Sequence, residues 1–338
     1  MSHPPDPSPP RRRPTIVDVA RRAGVSAAAV SFAVNDRPGV SSGTRERILA
    51  AARELGWQPS ASARALTEAR TRAVGLVIAR DAEQLETDSF FLRFLAGIER
   101  ALTAADYALL LQLVQGDASD TLRAYERLAR AGRVDGFLLT DVEVDDPRFE
   151  PLAATGVPVV LAGEPSQDCS FQWLETRHAE GIAPAVTYLA GLGHTRIAFF
   201  GGSSRFAHER AREAAWREAV PDASLVARVG DDPRAAALAL LDGEPSAVIC
   251  STDALAIELL AAARSRGVAI PAELSVVGFD DSALAALSGL TSVRVDYAAF
   301  GCAAAETLLA LVADGPAPAY EPEPPSLVVR GSTGRVPS

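Results

Sequence analysis

The side chains able to do chemistry in this chain are few and scattered. The acid pair Asp280-Asp281 ends the apolar run LSVVGFDD, yet no histidine or further acid stands at metal-ligand spacing beside it. Cys169, Cys250 and Cys302 lie far apart without a CxxC pair, which excludes a disulfide framework and a structural zinc module. There is no Walker A string, GxSxG elbow, HExxH motif or GxGxxG opening a helix after a strand; GLGH at 191–194 has two of the glycines and ends a helix. Neither catalysis nor a cofactor is expected. Positive charge does cluster. Arg205, His208 and Arg210 surround the start of a helical stretch at 207–219, where free backbone N–H groups attract anions; the plainer reading is simple surface charge. Residues 1–72 carry 12 arginines against 6 acids, a net of +6, whereas residues 73–338 carry 21 against 37, a net of -16. A basic head on an acidic body points to a polyanion held by the head, since the body repels it.

The elements that position these groups follow from pattern. Hydrophobic residues make up 48% of the 338 residues, too many for a disordered chain and enough for two or three domains. No apolar run approaches the ~18–20 residues of a membrane helix. Met1 to Pro14 lacks the apolar stretch of a signal peptide, so a reduced cytoplasmic protein is expected. Residues 1–14 read as a Pro-rich disordered tail. Thr15 can cap a helix at 16–23 that Gly24 ends, Ser26 a second at 27–35, and Ser41 a third near 44–55 that stops at Gly56. Val19, Ala20, Val25, Val30, Ile48, Leu49 and Leu55 can close a small core between them.

From Ala73 strands and helices alternate. Strand-like runs at 73–79, 108–114, 136–141 and 157–163 enclose helices near 90–105 and 119–131. A second series has strands at 170–176, 196–202, 224–230, 247–251 and 274–280, with helices near 180–192, 207–219, 233–242 and 253–266. Such βαβ series make parallel sheets covered on both faces, and two series make two doubly wound lobes. Ligands bind beyond the carboxyl ends of such strands, and a cleft between two lobes is a natural small-molecule site. Trp173, on the strand at 170–176, can face that cleft, but the plainer reading is core.

The segment TIVDVARRAGVSAAAVSFAVN (15–35) is laid out as a helix-turn-helix: small Ala20 at the crossing, Gly24 in the turn, Val25 as plug, and Ser26 opening the recognition helix. With VSSGTRERILAAARELGWQPSASARAL after it, and GLGHTRIAFFGG, SVVGFDD, LTSVR and SLVVRGST in the body, the chain resembles the LacI/GalR family of bacterial transcription regulators over residues 15 to 333. The resemblance implies an N-terminal all-α helix-turn-helix domain (15–58), a hinge helix and linker (59–72), and a periplasmic-binding-protein-like α/β core (73–338). That core has two lobes, their boundary near 165–175 and crossovers near 295 and 325. It implies a regulator, expected to be a repressor, that binds pseudo-palindromic operator DNA as a homodimer and is modulated by a sugar or related metabolite between the lobes. The chain ends soon after SLVVRGST without a heptad helix, so a dimer rather than a tetramer is expected. The other reading, a stand-alone periplasmic-type binding protein, requires a signal peptide and has no use for residues 15–66.

By the same resemblance Ala27, Ala28 and Phe32 occupy the base-reading face, and Thr15, Ser26, Ser31 and Asn35 contact phosphates. Relatives commonly have polar residues at the first two positions and Arg at the third. Alanine and phenylalanine make no bidentate hydrogen bonds but can touch thymine methyls; alternatively Phe32 packs on the small core. Ala63 lies in the hinge helix with Ala61 and Ala65, and Leu66 matches the leucine that wedges into a central base step. In the cleft, Arg212 and Asp280 match ligand-binding residues, and Phe90 and Phe91 match an aromatic segment, one to stack on a ring and one to serve as core. Several positions depart: Gly163 where an acid is common, Arg177 for the acid of an Asp-Asn pair with His178 beside it, Thr252 for Asn, and Val295 for a polar residue. An ordinary hexose, a smaller, more apolar or anionic ligand, and an unoccupied degenerate cleft all stay open.

Overall fold

The structure is a computed structural model that describes residues 14–58, 70–80, 89–230 and 232–336. Two compact units divide near residue 71. The first contains α1 (Ile16–Ala23), α2 (Ala27–Val34) and α3 (Ser42–Leu55). Each boundary has a local cause. Thr15 donates both its N–H and its hydroxyl to Asp18, at 2.9 and 2.7 Å. Ser26 Oγ accepts from Ala29 N, Ser41 Oγ accepts from Thr44 N, and Gly24 and Gly56 close α1 and α3 in the left-handed region. The Ser41 cap starts α3 at Ser42, one turn's fraction before the expected Thr44. Val19, Ala20, Ala23, Val30, Ala33, Ile48, Ala51 and Ala52 form the core. Leu49, expected inside, is 39% exposed, because Ile48, Ala51 and Ala52 already supply the inward face of α3.

The second unit has two lobes. β1 (Ala73–Ala79), α4 (Ser89–Ala104), β2 (Ala108–Val114), α5 (Ala118–Arg130), β3 (Gly136–Leu139), α6 (Phe149–Ala154), β4 (Val159–Ala162) and β5 (Gln172–Leu174) give a five-stranded parallel sheet in the order β2-β1-β3-β4-β5. After a 3-10 turn at His178–Gly181 come α7 (Ile182–Gly191), β6 (Ile197–Gly201), α8 (Ala207–Ala219), β7 (Val226–Arg228), α9 (Pro233–Leu241), β8 (Ala247–Cys250), α10 (Asp253–Ser265), β9 (Ser275–Asp280), α11 (Ala283–Ser288) and β10 (Thr291–Arg294). Then follow α12 (Tyr297–Val312) and β11 (Ser326–Val328). The second sheet runs β11-β10-β9-β8-β6-β7 and is parallel except where β11 meets β10. The central strands GFLL, VVLA and AVIC are buried along their whole length, as strands covered by helices on both faces must be. Asp117, Asp232, Thr252 and Asp296 cap the helices that follow them.

The short helices α6 and α11 were not expected, and α12 is the longest element the periodicity did not announce. Its sequence YAAFGCAAAETLLALV is apolar on nearly every side, so no stripe marks it. It is buried because it is shared. Tyr297 packs in the second lobe's core, while Phe300, Ala304, Ala305 and Leu308 pack with Phe94, Ile98 and Leu102 in the first. Its contact with α4 is backbone-close: a Cβ on Gly97 would stand 2.0 Å from Ala298 O, and one on Gly301 2.1 Å from Phe94 O. The run at 170–176, expected to open the second series, instead pairs with β4 as edge strand β5 of the first sheet, and Trp173, read as core, is 43% exposed on it.

Candidate DNA-binding and ligand-binding sites

In the head, Val30 and Ala33 turn inward and Ala28 and Phe32 lie exposed one turn apart on the other side of α2. Phe32 therefore does not join the small core. Ser26 is exposed with its hydroxyl proton free to donate, while Ser31 Oγ accepts from Asn35 Nδ2 at 3.4 Å. Thr15 is engaged at both N–H and O–H by Asp18, so a phosphate contact there competes with the cap. Ala27 is half-buried at the start of the helix. Ala63 and Leu66 lie outside the described residues.

In the body, a cavity of about 660 Å³ opens between the lobes beyond the carboxyl ends of the strands. Its second-lobe floor is a charged chain of contacts. Arg212, on α8, donates from Nη1 to Ser251 O at 2.7 Å and from Nη2 to Tyr297 Oη at 3.4 Å, and its guanidinium lies 4.0 Å from the Phe279 ring centroid. Tyr297 in turn donates to Asp280 Oδ1 at 2.7 Å. Burial opposes the Arg212 charge, but Tyr297, Asp280 and Glu209 outweigh it and hold its pKa above the ordinary value. Glu209 Oε2 accepts the Gly202 N–H at 2.8 Å. Thr252 lines the cavity and caps α10 through Leu255 N at 3.2 Å.

Beside Arg212 stand two imidazoles, His178 and His208, with ring centroids 6.3 Å apart. Burial, then the Arg212 charge, pushes His178 down to about 3 and His208 well below the ordinary histidine range, so both are neutral at pH 7. Two polar atoms here are buried without a hydrogen-bond partner: Arg212 Nε and His178 Nδ1. Unpartnered buried polar atoms are costly and rare. Phe90 lines the first-lobe side and meets Tyr297 edge-on at 5.0 Å.

The first-lobe wall adds Arg80, paired with Asp141 at 3.0 Å, together with Glu164, Glu175 and Thr176. Burial, and then Glu164 and Glu180, raise the Glu175 pKa. Asp281 faces away from the cavity and is held by Arg330 at 2.6 Å and Arg294 at 2.7 Å. Burial works against its charge, but the two guanidiniums prevail and keep it below the usual carboxylate range. The acid pair is thus divided between two tasks, and no group of three or more metal-ligating side chains occurs among the described residues.

The lobes touch on both sides of the cavity. Arg93 on α4 donates to Asp280 O at 3.0 Å and to Asp281 O at 2.5 Å. Val144 N donates to Arg205 O at 2.8 Å and Ala207 N to Val142 O at 2.9 Å, a short backbone ladder between the lobes. Asp280 and Asp281 have φ of 106° and 50°, so the strand end that faces the cavity is held in the left-handed region by non-glycine residues.

Of the expected cleft residues, Phe90, Arg212, Thr252 and Asp280 line the cavity and Phe91 does not. Phe91 is fully buried in the first-lobe core, because consecutive helical residues point ~100° apart and only one of the pair can face outward. Gly163 lines the cavity with φ +144°, which accounts for glycine there better than any ligand role. Arg177 pairs with Glu180 at 2.7 Å and stays out of the cavity, whereas its neighbour His178 enters it. Val295 is buried in the second-lobe core. His208 was read only as part of a charged helix start, and Tyr297, His178, Glu209, Arg80 and Asp141 were not singled out as ligand contacts, although Arg80 and Asp141 stand within two residues of the ends of first-sheet strands.

Comparison with known proteins accords with this layout. Residues 15–60 match the model of bacterial regulatory proteins of the lacI family, and residues 186–333 that of the periplasmic binding protein-like domain. The HTH-type transcriptional regulator reg1 of Streptomyces lividans is 35% identical over 95% of this chain and 97% of its own. A solved structure of the lac repressor dimer bound to operator and the anti-inducer ONPF superposes with a TM-score of 0.83 at 25% identity, covering 96% of this chain and 100% of that one. The transcriptional regulator CelR–cellobiose complex superposes with a TM-score of 0.70 at 29% identity, covering 95% and 100%. No described helix is long and apolar enough to cross a membrane. A helix-turn-helix head and a two-lobed, periplasmic-binding-protein-like core in one chain, with relatives that match it end to end, make this protein a DNA-binding transcriptional regulator that belongs to the LacI family.

Proposed function

We propose that the protein is a homodimeric, non-enzymatic repressor whose operator affinity is set by a neutral polyhydroxylated metabolite bound between the lobes. The observation that carries this reading is the Arg212–Tyr297–Asp280 chain at the cavity floor, with Arg212 Nε and His178 Nδ1 left unpartnered. Sugar hydroxyls both donate and accept, so one ligand can satisfy a guanidinium, a carboxylate and an imidazole together. Phe90 and Phe206 add apolar ring surface to the cavity wall, which suits the apolar side of a pyranose. The charge of the wall argues against an anion. Among its described lining residues five carboxylates (Asp141, Glu164, Glu175, Glu209, Asp280) face three guanidiniums (Arg80, Arg210, Arg212), and the two neighbouring imidazoles are neutral. The volume suits a disaccharide-sized ligand as well as a hexose. CelR's complex with cellobiose supports a saccharide of that size.

The ligand would bridge Arg212 and Asp280 of one lobe to the Asp141 and Glu175 side of the other. It would thereby change the lobe spacing that the two heads of a dimer feel through residues 59–72. Calorimetry with neutral mono- and disaccharides, cellobiose included, against sugar phosphates and dicarboxylates tests the ligand class. Neutral saccharides binding above the anions is the expected result, and the reverse order would overturn this reading.

A further inference from the structure

We propose that this regulator reads its operator through the C5-methyl groups of thymine, with Phe32 and Ala28 of α2 as the reading surface. The proposal rests on the head's binding duplex DNA through α2. A recognition helix distinguishes base pairs by hydrogen bonds to their edges or by apolar contact with the thymine methyl. The first route is closed to most of this helix. Between Ala27 and Val34 there is no amide, guanidinium or carboxylate, and the single polar side chain, Ser31, accepts from Asn35 Nδ2 and keeps only one hydroxyl proton to donate.

The second route is built. Phe32 is 40% exposed and Ala28 is exposed one turn before it, on the side opposite the buried Val30 and Ala33. The Phe32 ring lies beside Gly39: two of its carbons stand 3.5 and 3.8 Å from where a Cβ on Gly39 would lie, and Gly39 has a φ of +115° that keeps glycine there. Arg37 N donates to Phe32 O at 2.9 Å, fixing the end of the helix against the same loop.

The occupant follows from charge. This apolar strip sits in a segment of net +6, with Arg21 and Arg22 largely exposed on the preceding helix. An anionic duplex fits that frame, with arginines on phosphates and the apolar strip on the groove floor. The helix packs too little polar chemistry to read G·C pairs, so thymines are expected opposite it.

The test replaces thymine by deoxyuridine, which keeps every hydrogen-bonding atom and removes only the methyl. Full-length protein first selects its preferred duplex from random DNA. Each half-site thymine is then changed to deoxyuridine singly, and affinity is read by fluorescence anisotropy at fixed salt. At one or two positions per half-site the change should weaken binding about fourfold, the ratio expected for one buried methyl. In the Phe32→Ala protein, thymine and deoxyuridine should bind alike at the position Phe32 touches, while the variant keeps the wild-type helical circular-dichroism signal and its affinity for non-specific duplex.

Deoxyuridine duplexes that all bind within about 1.5-fold of the parent would overturn the methyl reading and leave the regulator reading intact. A half-site consensus of G·C pairs alone would do the same. Selection that returns no consensus would overturn both.

Discussion

Replacing Arg212 by methionine removes the cation at the cavity floor while keeping most of the side chain's length. Besides the 3.4 Å bond to Tyr297 Oη, three interactions go with it. The charge-assisted bond to Ser251 O at 2.7 Å is of a kind that contributes roughly 1.5–3 kcal/mol. A desolvated cation on an aromatic face, here Phe279 at 4.0 Å, contributes about 2 kcal/mol. Asp280 and Glu209 lose the charge that compensates them, and breaking a buried pair in this way costs about 3–5 kcal/mol. These contributions overlap, so the whole loss is expected at about 3–5 kcal/mol rather than at their sum. For a folding unit of this size roughly 2 °C is lost per kcal/mol, so the body should melt about 6–10 °C lower.

Thermal unfolding of the full chain, followed by circular dichroism, measures it. The partner variant makes the reasoning refutable. Neutralising the carboxylate in Arg212→Met/Asp280→Asn should recover at least ~1 kcal/mol of the loss, because the buried charge that lacked compensation is gone. A single variant that melts within about 2 °C of wild type, or a double variant that is merely additive, would show that Arg212 does not compensate Asp280.

Other perturbations have equally definite outcomes. His178 is depressed to about 3 in the folded chain against ~6.5 unfolded, so its stabilising effect is complete above pH 6.5 and is lost as the pH falls toward 3, at up to about 1.4 kcal/mol per pH unit. His178→Gln should flatten the stability–pH slope between about pH 6.5 and 5, where carboxylates contribute little, and an unchanged slope in urea titrations would contradict this. Gly301→Val places a Cβ 2.1 Å from Phe94 O and should cost about 3 kcal/mol or more, seen as a lower urea midpoint; a neutral result would mean that α4 and α12 are not in backbone contact. Arg93→Met cuts the link from α4 to the carbonyls of Asp280 and Asp281. The ratio of operator affinities with and without bound saccharide should then shrink by about fivefold or more, and an unchanged ratio would place the coupling elsewhere.

How far the sequence could be read depended on whether a physical signal was local. The helix-turn-helix was legible because its caps and turn glycines each announce themselves: Thr15, Gly24, Ser26, Ser41 and Gly56 stand where the helices begin and end. The βα alternation was legible for the same reason. α12 was not, since a helix buried between two lobes is apolar all round and carries no stripe. The cleft was half legible. Arg212 and Asp280 are at the floor, but Tyr297 reaches them only because α12 crosses back between the lobes, which spacing in sequence does not reveal. Arg80, Asp141 and Thr176 each follow a strand of the first sheet, and the rule that ligands gather at strand ends would have named them. The Phe90–Phe91 pair was expected to divide between cavity and core without saying which was which, and Leu49 erred by one position on a helix, the smallest error periodicity permits and enough to turn a side chain from one face to another. Gly163 shows a different limit: its departure from an acid looked like a change of ligand, and its φ of +144° makes it a requirement of the backbone.

The central claim is that one chain joins a DNA-reading head to a saccharide-gated cleft. Titration of the selected operator with full-length protein, with and without a saturating amount of the saccharide that binds best in calorimetry, tests it most directly. Operator affinity should shift by about 5- to 150-fold, the span of ordinary allosteric coupling, and the shift should be lost in Arg212→Met under conditions where the variant is folded. Operator affinity that stays the same with the cleft demonstrably occupied would contradict it.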